Sequence, residues 1–135
     1  MSTTLKVGDE FAPREFPPMS RTDIVIYQGA SGDYNPIHHD DEFAQKGGYP
    51  SAFGVGMYQA GITATYAVDQ FSPEQIRGFK VRFQEQTWPK DVLTVTGKVA
   101  SIEKNDKGEE IVTVDLETSR QTGGVAVVAS AQFAV

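Results

Sequence analysis

The sequence predicts an α+β fold, in which one apolar helix is covered by a curved antiparallel sheet. Residues 55–69 predict the helix, because apolar side chains point around most of the helical wheel and no full charge precedes Asp69. After this segment, Phe79, Val81 and Phe83 alternate with polar residues, as in a half-buried strand. No repeat or interdomain linker interrupts the chain, so all 135 residues are expected to form a single domain.

Three further strands are predicted beyond a bend at residues 88–91. Residues 92–102 and 111–118 are dense in threonine, valine and leucine, and the turn sequence at 105–108 predicts that they form a hairpin. A second turn at 121–124 leads into a last strand. One face of that strand is expected to consist of Val125, Val127, Ala129, Ala131, Phe133 and Val135. The strands together predict a meander of at least four antiparallel strands.

Shorter elements are predicted before the long helix. The first 19 residues carry three prolines and are expected to be irregular, with at most short extended pieces. Ser20, followed three residues later by Asp23, is a carboxylate variant of the capping box and predicts the start of a helix. Gly29 and Gly32 are expected to end it. A second short helix is expected at residues 40–45, followed by two glycines and a loop.

Composition excludes several classes of protein. The chain carries a net charge of -6 with scattered lysines and arginines, so the basic patch of a nucleic-acid or anionic-membrane binder is missing. It contains no cysteine, which excludes disulfides, thiolate nucleophiles and thiolate zinc sites, and which fits a reducing compartment. Neither a signal peptide nor a membrane-spanning segment is indicated. A cytoplasmic location is therefore expected.

The candidate site lies in residues 27–40, YQGASGDYNPIHHD, which include both histidines of the chain. Asp33 and His38 are five positions apart in a turn sequence, and a carboxylate beside an imidazole is suited to activating water near neutral pH. Asn35 and Pro36 are common turn residues, so the same string also fits an ordinary loop. We expect Asn35 to support the turn through backbone hydrogen bonds rather than to take part in chemistry.

The second histidine and the acidic residues after it invite a metal-site interpretation. His39 has no third or fourth ligand in evident spacing, and adjacent histidines tend to diverge, so no metal is expected. His39 is expected at the surface or the rim of the site. Asp40, Asp41 and Glu42 are expected to form a solvated helix start.

The run YQGASGDYNPIHHDDEFA, followed by Gly54-Val55-Gly56-Met57 at the start of an apolar helix, closely resembles the MaoC-like hydratase family, which includes the R-specific enoyl-CoA hydratases. That resemblance implies the hot-dog fold. It also implies that Asp33 and His38 are the catalytic pair and that the backbone N–H of Gly56 serves the oxyanion hole. Many members carry a histidine where this chain has Val55, which implies a changed shape or polarity beside the oxyanion hole.

The resemblance implies a hydratase or dehydratase that interconverts a trans-2-enoyl thioester and the R-3-hydroxyacyl thioester. The substrate would be carried by coenzyme A or an acyl carrier protein, and no cofactor is implied. Lys80, Arg82 and Lys90 are candidates to meet the anionic part of coenzyme A. A homodimer is implied, with the sheets continuing across the interface, and a higher oligomer or a heteromer is also possible.

Two other classes of function stay open. Hot-dog proteins also include acyl-thioester hydrolases, which release a free thiol instead of removing the enoyl group. Some hot-dog assemblies pair a catalytic chain with a non-catalytic acyl-binding partner of a heteromeric dehydratase. The intact Asp33 and His38 argue against an inert chain.

Overall fold

Five strands and three helices make up residues 4–135, the part of the chain that the computed structural model describes. The strands form one antiparallel sheet in the order β1-β3-β4-β5-β2, which confirms the predicted α+β class. The elements are β1 (Glu10–Glu15), α1 (Arg21–Ser31), α2 (Asp41–Lys46), α3 (Gly56–Gln70), β2 (Ile76–Phe83), β3 (Leu93–Lys104), β4 (Glu110–Arg120) and β5 (Val125–Ala134), with single 3-10 turns at Pro36–His38 and Pro73–Gln75.

Helix α3 packs against one face of the sheet and forms the main core with it. Tyr66 and Ala67 are buried among side chains of β3, β4 and β5, and the Tyr66 hydroxyl donates to the carbonyl of Ala12 at 2.8 Å. The opposite face is open: Met57 is 56% exposed, and Gly61 and Thr65, one and two turns later, are exposed as well. The prediction that this helix is buried on nearly every side is therefore wrong for the single chain, because one sheet covers only one face.

The order of the strands corrects the predicted meander. Strands β3, β4 and β5 follow one another as expected, but β2 pairs with β5 at one edge of the sheet instead of with β3. The chain after β2 must therefore cross from one edge toward the other. On the way, the carbonyl of Thr87 accepts a hydrogen bond from the N–H of Gly54 at 2.7 Å, just before α3 begins. The crossover thus brings a second loop to the start of α3.

The amino-terminal segment contains one short extended piece, as the prediction allowed. Residues 10–15 form the edge strand β1, which pairs with β3. The register shifts between Phe11 and Arg14, so Pro13 lies at an irregularity of an edge strand, where a missing N–H costs no ladder hydrogen bond. The prolines that suggested an irregular segment are thus compatible with a strand.

The face predicted for the last strand is largely confirmed. Val127, Ala129, Ala131 and Phe133 are each at most 5% exposed. Val135, beyond the end of the strand, is 53% exposed. No helix within residues 4–135 is both long enough and apolar enough to cross a membrane.

Candidate functional site

Helix α1 ends directly before the candidate site. The predicted capping box is present, because the N–H of Asp23 donates to Ser20 Oγ and the N–H of Ser20 donates to Asp23 Oδ2, both at 2.9 Å. The helix continues through Gly29, which was expected to help end it, and stops at Gly32 with a left-handed φ of 77°. The chain leaves the helix directly at Asp33.

The turn after α1 is built by its own side chains. The N–H of Asn35 donates to Asp33 Oδ1 at 3.3 Å, and the N–H of Ile37 donates to Asn35 Oδ1 at 3.1 Å. Asn35 thereby caps the 3-10 turn Pro36–His38, which presents the ring of His38. The supporting contacts expected of Asn35 are present in the structure.

Asp33 and His38 face each other, with His38 Nε2 3.9 Å from Asp33 Oδ2. The other ring nitrogen, Nδ1, lies 2.9 Å from the carbonyl oxygen of Phe53. Because a carbonyl can only accept, this contact requires the proton on Nδ1 and leaves Nε2 of the neutral ring as an acceptor. The distance of 3.9 Å exceeds a direct hydrogen bond, so two acceptor atoms face a gap that one water can bridge.

The two groups differ in their access to solvent. The His38 side chain is 11% exposed, whereas the Asp33 side chain is 45% exposed. The ring of His38 meets the ring of Phe53 edge-on at 5.3 Å between centroids, and Phe53 in turn contacts Trp88 at 5.6 Å. The site therefore has an aromatic wall behind the imidazole and an open side at the carboxylate.

Asp41 ties the loop before α3 to helix α1. Its Oδ1 accepts the N–H of Ala52 at 2.9 Å, and its two oxygens accept both terminal nitrogens of Arg21 at 3.0 Å. The hydrogen bond from Ala52, with those from Arg21, holds the pKa of Asp41 below its usual value. The expectation of a solvated helix start fits both residues, because the side chains of Asp41 and Glu42 are 46% and 80% exposed, and Asp41 pairs with Arg21 in addition.

The segment that leads into α3 is packed so closely that one position admits only glycine. A Cβ added to Gly54 would collide with Thr87 Oγ1 and would lie 3.1 Å from Met19 Cε. The Thr87 hydroxyl also receives a hydrogen bond from the amide of Gln59, which is buried on α3. This contact locks the crossover loop against the first turn of α3.

Gly56 is the first residue of α3, as predicted, and Val55 is its N-cap. The first N–H groups of a helix have no intrahelical acceptor, and within residues 4–135 no acceptor binds the N–H of Gly56. A Cβ on Gly56 would lie 3.2 Å from the ring of Phe83, so this ring covers the glycine. Val55 is 3% exposed and packs with Met19 and Ile24 beneath α1.

Sequence reasoning missed Gln28, which is 3% exposed and fixes the turn from inside. Its Nε2 donates to the carbonyls of Asp33 at 2.8 Å and Asn35 at 3.1 Å. Its Oε1 lies 2.9 Å from Nδ1 of His39, which is otherwise exposed as expected. A signal was available: Gln28 lies four residues after Ile24, on the buried face of α1, where a polar side chain must be hydrogen bonded.

The structure also shows how the possible metal ligands and the candidate basic residues are distributed. Within residues 4–135, no three His, Asp or Glu side chains are grouped so that they could hold a metal. Lys80, Arg82 and Lys90 are all exposed, and the first two share their surface with Asp115 and Ser130. Their role toward coenzyme A stays a prediction.

Comparison with known proteins identifies the family. A family model described as "MaoC like domain" matches residues 3–121. The chain belongs to the MaoC-like family. Among curated relatives, the enoyl-CoA hydratase ChsH3 of Mycobacterium tuberculosis is 30% identical over 96 residues. That match covers 65% of this chain but only 34% of the relative, so the chain spans about a third of its length.

Several solved structures share the fold of this chain. An (R)-hydratase from A. caviae involved in PHA biosynthesis has a TM-score of 0.85 and 20% identity, with 99% of each chain covered. The ChsH1–ChsH2 complex from Mycobacterium tuberculosis gives a TM-score of 0.84 at 21% identity, covering 98% of this chain and 99% of that chain. The hot-dog fold predicted from the resemblance is confirmed.

Proposed function

We propose that this MaoC-like protein interconverts a trans-2-enoyl thioester and the R-3-hydroxyacyl thioester, as a hydratase or, in reverse, a dehydratase. The single observation that carries the proposal is the pair of acceptor atoms, Asp33 Oδ2 and His38 Nε2, that face each other at 3.9 Å. Membership in a family of enoyl-CoA hydratases and dehydratases supports it. The assignment to this chain is proposed from that family membership together with the arrangement of its own Asp33 and His38.

The proposed reaction begins with one water held between Asp33 and His38. The water donates one hydrogen to His38 Nε2 and the other to Asp33 Oδ2, which directs its lone pairs toward the substrate. The Nδ1–H of His38 remains bonded to the carbonyl of Phe53, so the ring keeps its orientation when Nε2 takes the proton. The negative charge of Asp33 then lies beside the imidazolium that forms.

Water is added without any other reagent. The water oxygen forms a bond to C3, the C2–C3 π pair moves toward C1, and the thioester oxygen becomes negative. The proton that leaves the water passes to His38 Nε2 and then to C2, so that one H and one OH are added. In this proposal the free N–H of Gly56, at the positive end of α3, binds the thioester oxygen. Because water and thioester supply every atom, the reaction needs no cofactor.

Exposed apolar side chains beside Gly56 are available to contact an acyl thioester or a second copy of the chain. Met57, the second residue of α3, is 56% exposed, and Phe83, at the end of β2 with its ring beside Gly56, is 49% exposed, although both are apolar. Strand β2 is an edge strand of eight residues, and unpaired edges favour association. We propose a homodimer in which the sheet continues across β2. Sedimentation at micromolar concentration checks this, and a monomer there would refute it.

The carrier and the location remain open parts of the proposal. Coenzyme A and acyl carrier protein present the same thioester, and the exposed Lys80, Arg82 and Lys90 do not distinguish them. A heteromeric arrangement also remains open, since a chain of similar fold is part of the ChsH1–ChsH2 complex. The cytoplasmic location stays a prediction from the sequence.

The test is a hydration assay of the purified protein on crotonyl-CoA and longer trans-2-enoyl-CoA thioesters, with chiral analysis of the product. We expect loss of the enoyl absorbance and an R product. Asp33→Asn and His38→Ala should lower kcat by about 10²- to 10⁴-fold, because each removes one of the two groups that activate the water. Glu42→Gln, a neighbouring exposed carboxylate, is the matched control and should leave kcat unchanged.

Four outcomes would contradict the proposal. An S product, or near-parental rates in either variant, would rule out the assigned site. Release of free thiol with the double bond intact would indicate a thioester hydrolase. No turnover of any enoyl thioester would favour a non-catalytic partner subunit.

A further inference from the structure

The amide of Gln28 is buried behind the catalytic turn and has three hydrogen-bonding partners. Its side chain projects from α1, and the residue is 3% exposed. Nε2 donates to the carbonyl oxygens of Asp33 at 2.8 Å and Asn35 at 3.1 Å, and Oε1 faces His39 Nδ1 at 2.9 Å. All but one of the amide's hydrogen-bonding positions are therefore used within this turn.

These partners determine where the hydrogens lie. The carbonyls of Asp33 and Asn35 can only accept, so the nitrogen of the Gln28 amide must face them and its oxygen must face His39. An oxygen beside Nδ1 requires a proton on that nitrogen. His39 therefore carries a proton on Nδ1. Its exposed ring is the outermost member of the hydrogen-bond network.

The network acts on the main chain on both sides of Tyr34, next to the catalytic carboxylate. The Asp33 side chain has one hydrogen bond to the turn, from the N–H of Asn35 at 3.3 Å, and is 45% exposed. Its direction therefore depends on where the backbone of the turn is held. Gln28 holds that backbone at the two carbonyls that flank Tyr34.

We propose that Gln28, together with His39, is a positioning residue of the MaoC-like site, an inference that rests on the proposed hydration. The pair holds the Asp33–Asn35 turn so that Asp33 Oδ2 and His38 Nε2 keep the spacing that takes one water. Neither Gln28 nor His39 touches the substrate. A displacement of about 1 Å at a reacting group costs on the order of 10²-fold in rate, so a small shift of this turn lowers turnover without weakening binding.

The first test replaces Gln28 by methionine, which is similar in length but makes no comparable hydrogen bond. We expect kcat for crotonyl-CoA hydration to fall by about tenfold or more, with KM within about threefold of the parental value. Gln45→Met is the matched control, because Gln45 also donates to a main-chain carbonyl, that of Pro50 at 3.2 Å, but outside this turn. A kcat within twofold of the parent in Gln28→Met, or an equal fall in Gln45→Met, would overturn the proposal.

A second test changes only the exposed member and so keeps the fold. In asparagine, Nδ2 takes roughly the place of the histidine Nδ1, so His39→Asn can still donate to Gln28, whereas His39→Leu cannot. We expect His39→Asn to keep kcat and His39→Leu to lower it. In a Gln28→Met background the two should be equal. His39→Asn as slow as His39→Leu in the parental background would contradict the role of the hydrogen bond.

Hydratase activity and the protonated ring nitrogen of His39 are measured separately. A parental protein without hydratase activity would refute the proposed function and, with it, the catalytic role of Gln28. The ring ¹⁵N chemical shifts of His39 show which ring nitrogen carries the proton. They therefore test the hydrogen bond to Gln28 independently of activity. The Nδ1–H form should be present in the parent and lost in Gln28→Met, and the Nε2–H form in the parent would overturn the network.

Discussion

Two loops meet at the start of α3, and each carries an aspartate. The two carboxylates differ in their burial and in the number of hydrogen bonds that they accept. Asp91, in the crossover loop, has a side chain that is 4% exposed and accepts hydrogen bonds from Arg120, Gln121 and the N–H of Trp88 at 2.7 to 2.8 Å. Asp33, in the turn after α1, has a side chain that is 45% exposed, and within residues 4–135 this side chain accepts a single hydrogen bond, from the N–H of Asn35 at 3.3 Å.

The difference separates a structural carboxylate from one available for chemistry. Both oxygens of Asp91 are occupied by donors, so the group holds the crossover loop to the end of β4 and can bind nothing else. Asp33 keeps Oδ2 free and faces the acceptor Nε2 of His38. An oxygen without a donor leaves Asp33 able to accept a hydrogen bond from a water, which is the role proposed for it.

The largest expected effect compares alanine substitutions of the two aspartates. Asp91→Ala should lower the free energy of unfolding by about 3 kcal/mol, because it leaves the guanidinium of Arg120, 18% exposed, without its closest partner. Asp33→Ala should change it by about 0.5 kcal/mol or less. Urea unfolding followed by circular dichroism measures both values.

The effects of the two substitutions on kcat should have the reverse order. Below its unfolding transition, Asp91→Ala should keep kcat within about threefold of the parent, because Asp91 does not touch the water site. Equal losses of stability in the two variants would show that Asp33 is also structural. A large loss of kcat in folded Asp91→Ala would show that the two loops are not independent.

Lowering the pH is expected to have a smaller effect on the free energy of unfolding. Burial by itself would raise the pKa of Asp91, but the hydrogen bonds from Arg120, Gln121 and Trp88 outweigh it, so the pKa is lower in the folded protein. Its stabilisation is therefore complete above the unfolded value of about 3.9 and is lost as the pH falls through the lower folded value. Between pH 7 and pH 2, Asp91→Asn should lose less stability than the parent in urea titrations. Parallel curves for the two proteins would contradict this contribution.

Features of the fold that depend on residues close together in the sequence could be predicted. The capping box at Ser20, the short helix at residues 41–46 and the hairpin turns depend on residues within four positions of one another, and each was found. The turn that joins Asp33 to His38 is local in the same way. Its catalytic assignment came from the resemblance to the family and stays a prediction.

The remaining features depend on contacts between distant residues. Arg120 meets Asp91 across 29 positions, and the pairing of β2 with β5 rather than β3 brings the Thr87 loop to Gly54. No local pattern reports such contacts. Gln28 lies between the two cases, because its spacing from Ile24 indicated burial, whereas its partners became known only from the folded turn.

The smallest expected effect is at Val55, in the segment that touches both loops. Val55 is 3% exposed and packs with Met19 and Ile24, so its side chain is a core contact of α1. Val55→His places a polar ring there and should cost about 1 to 2 kcal/mol of stability, less than Asp91→Ala. The backbone N–H of Gly56 is unchanged by the substitution, so the preference among short and medium enoyl-CoA chains should stay within about threefold of the parent. A series of chain lengths measures this, and a shift in preference with unchanged stability would mean that Val55 lines the acyl site instead of the core.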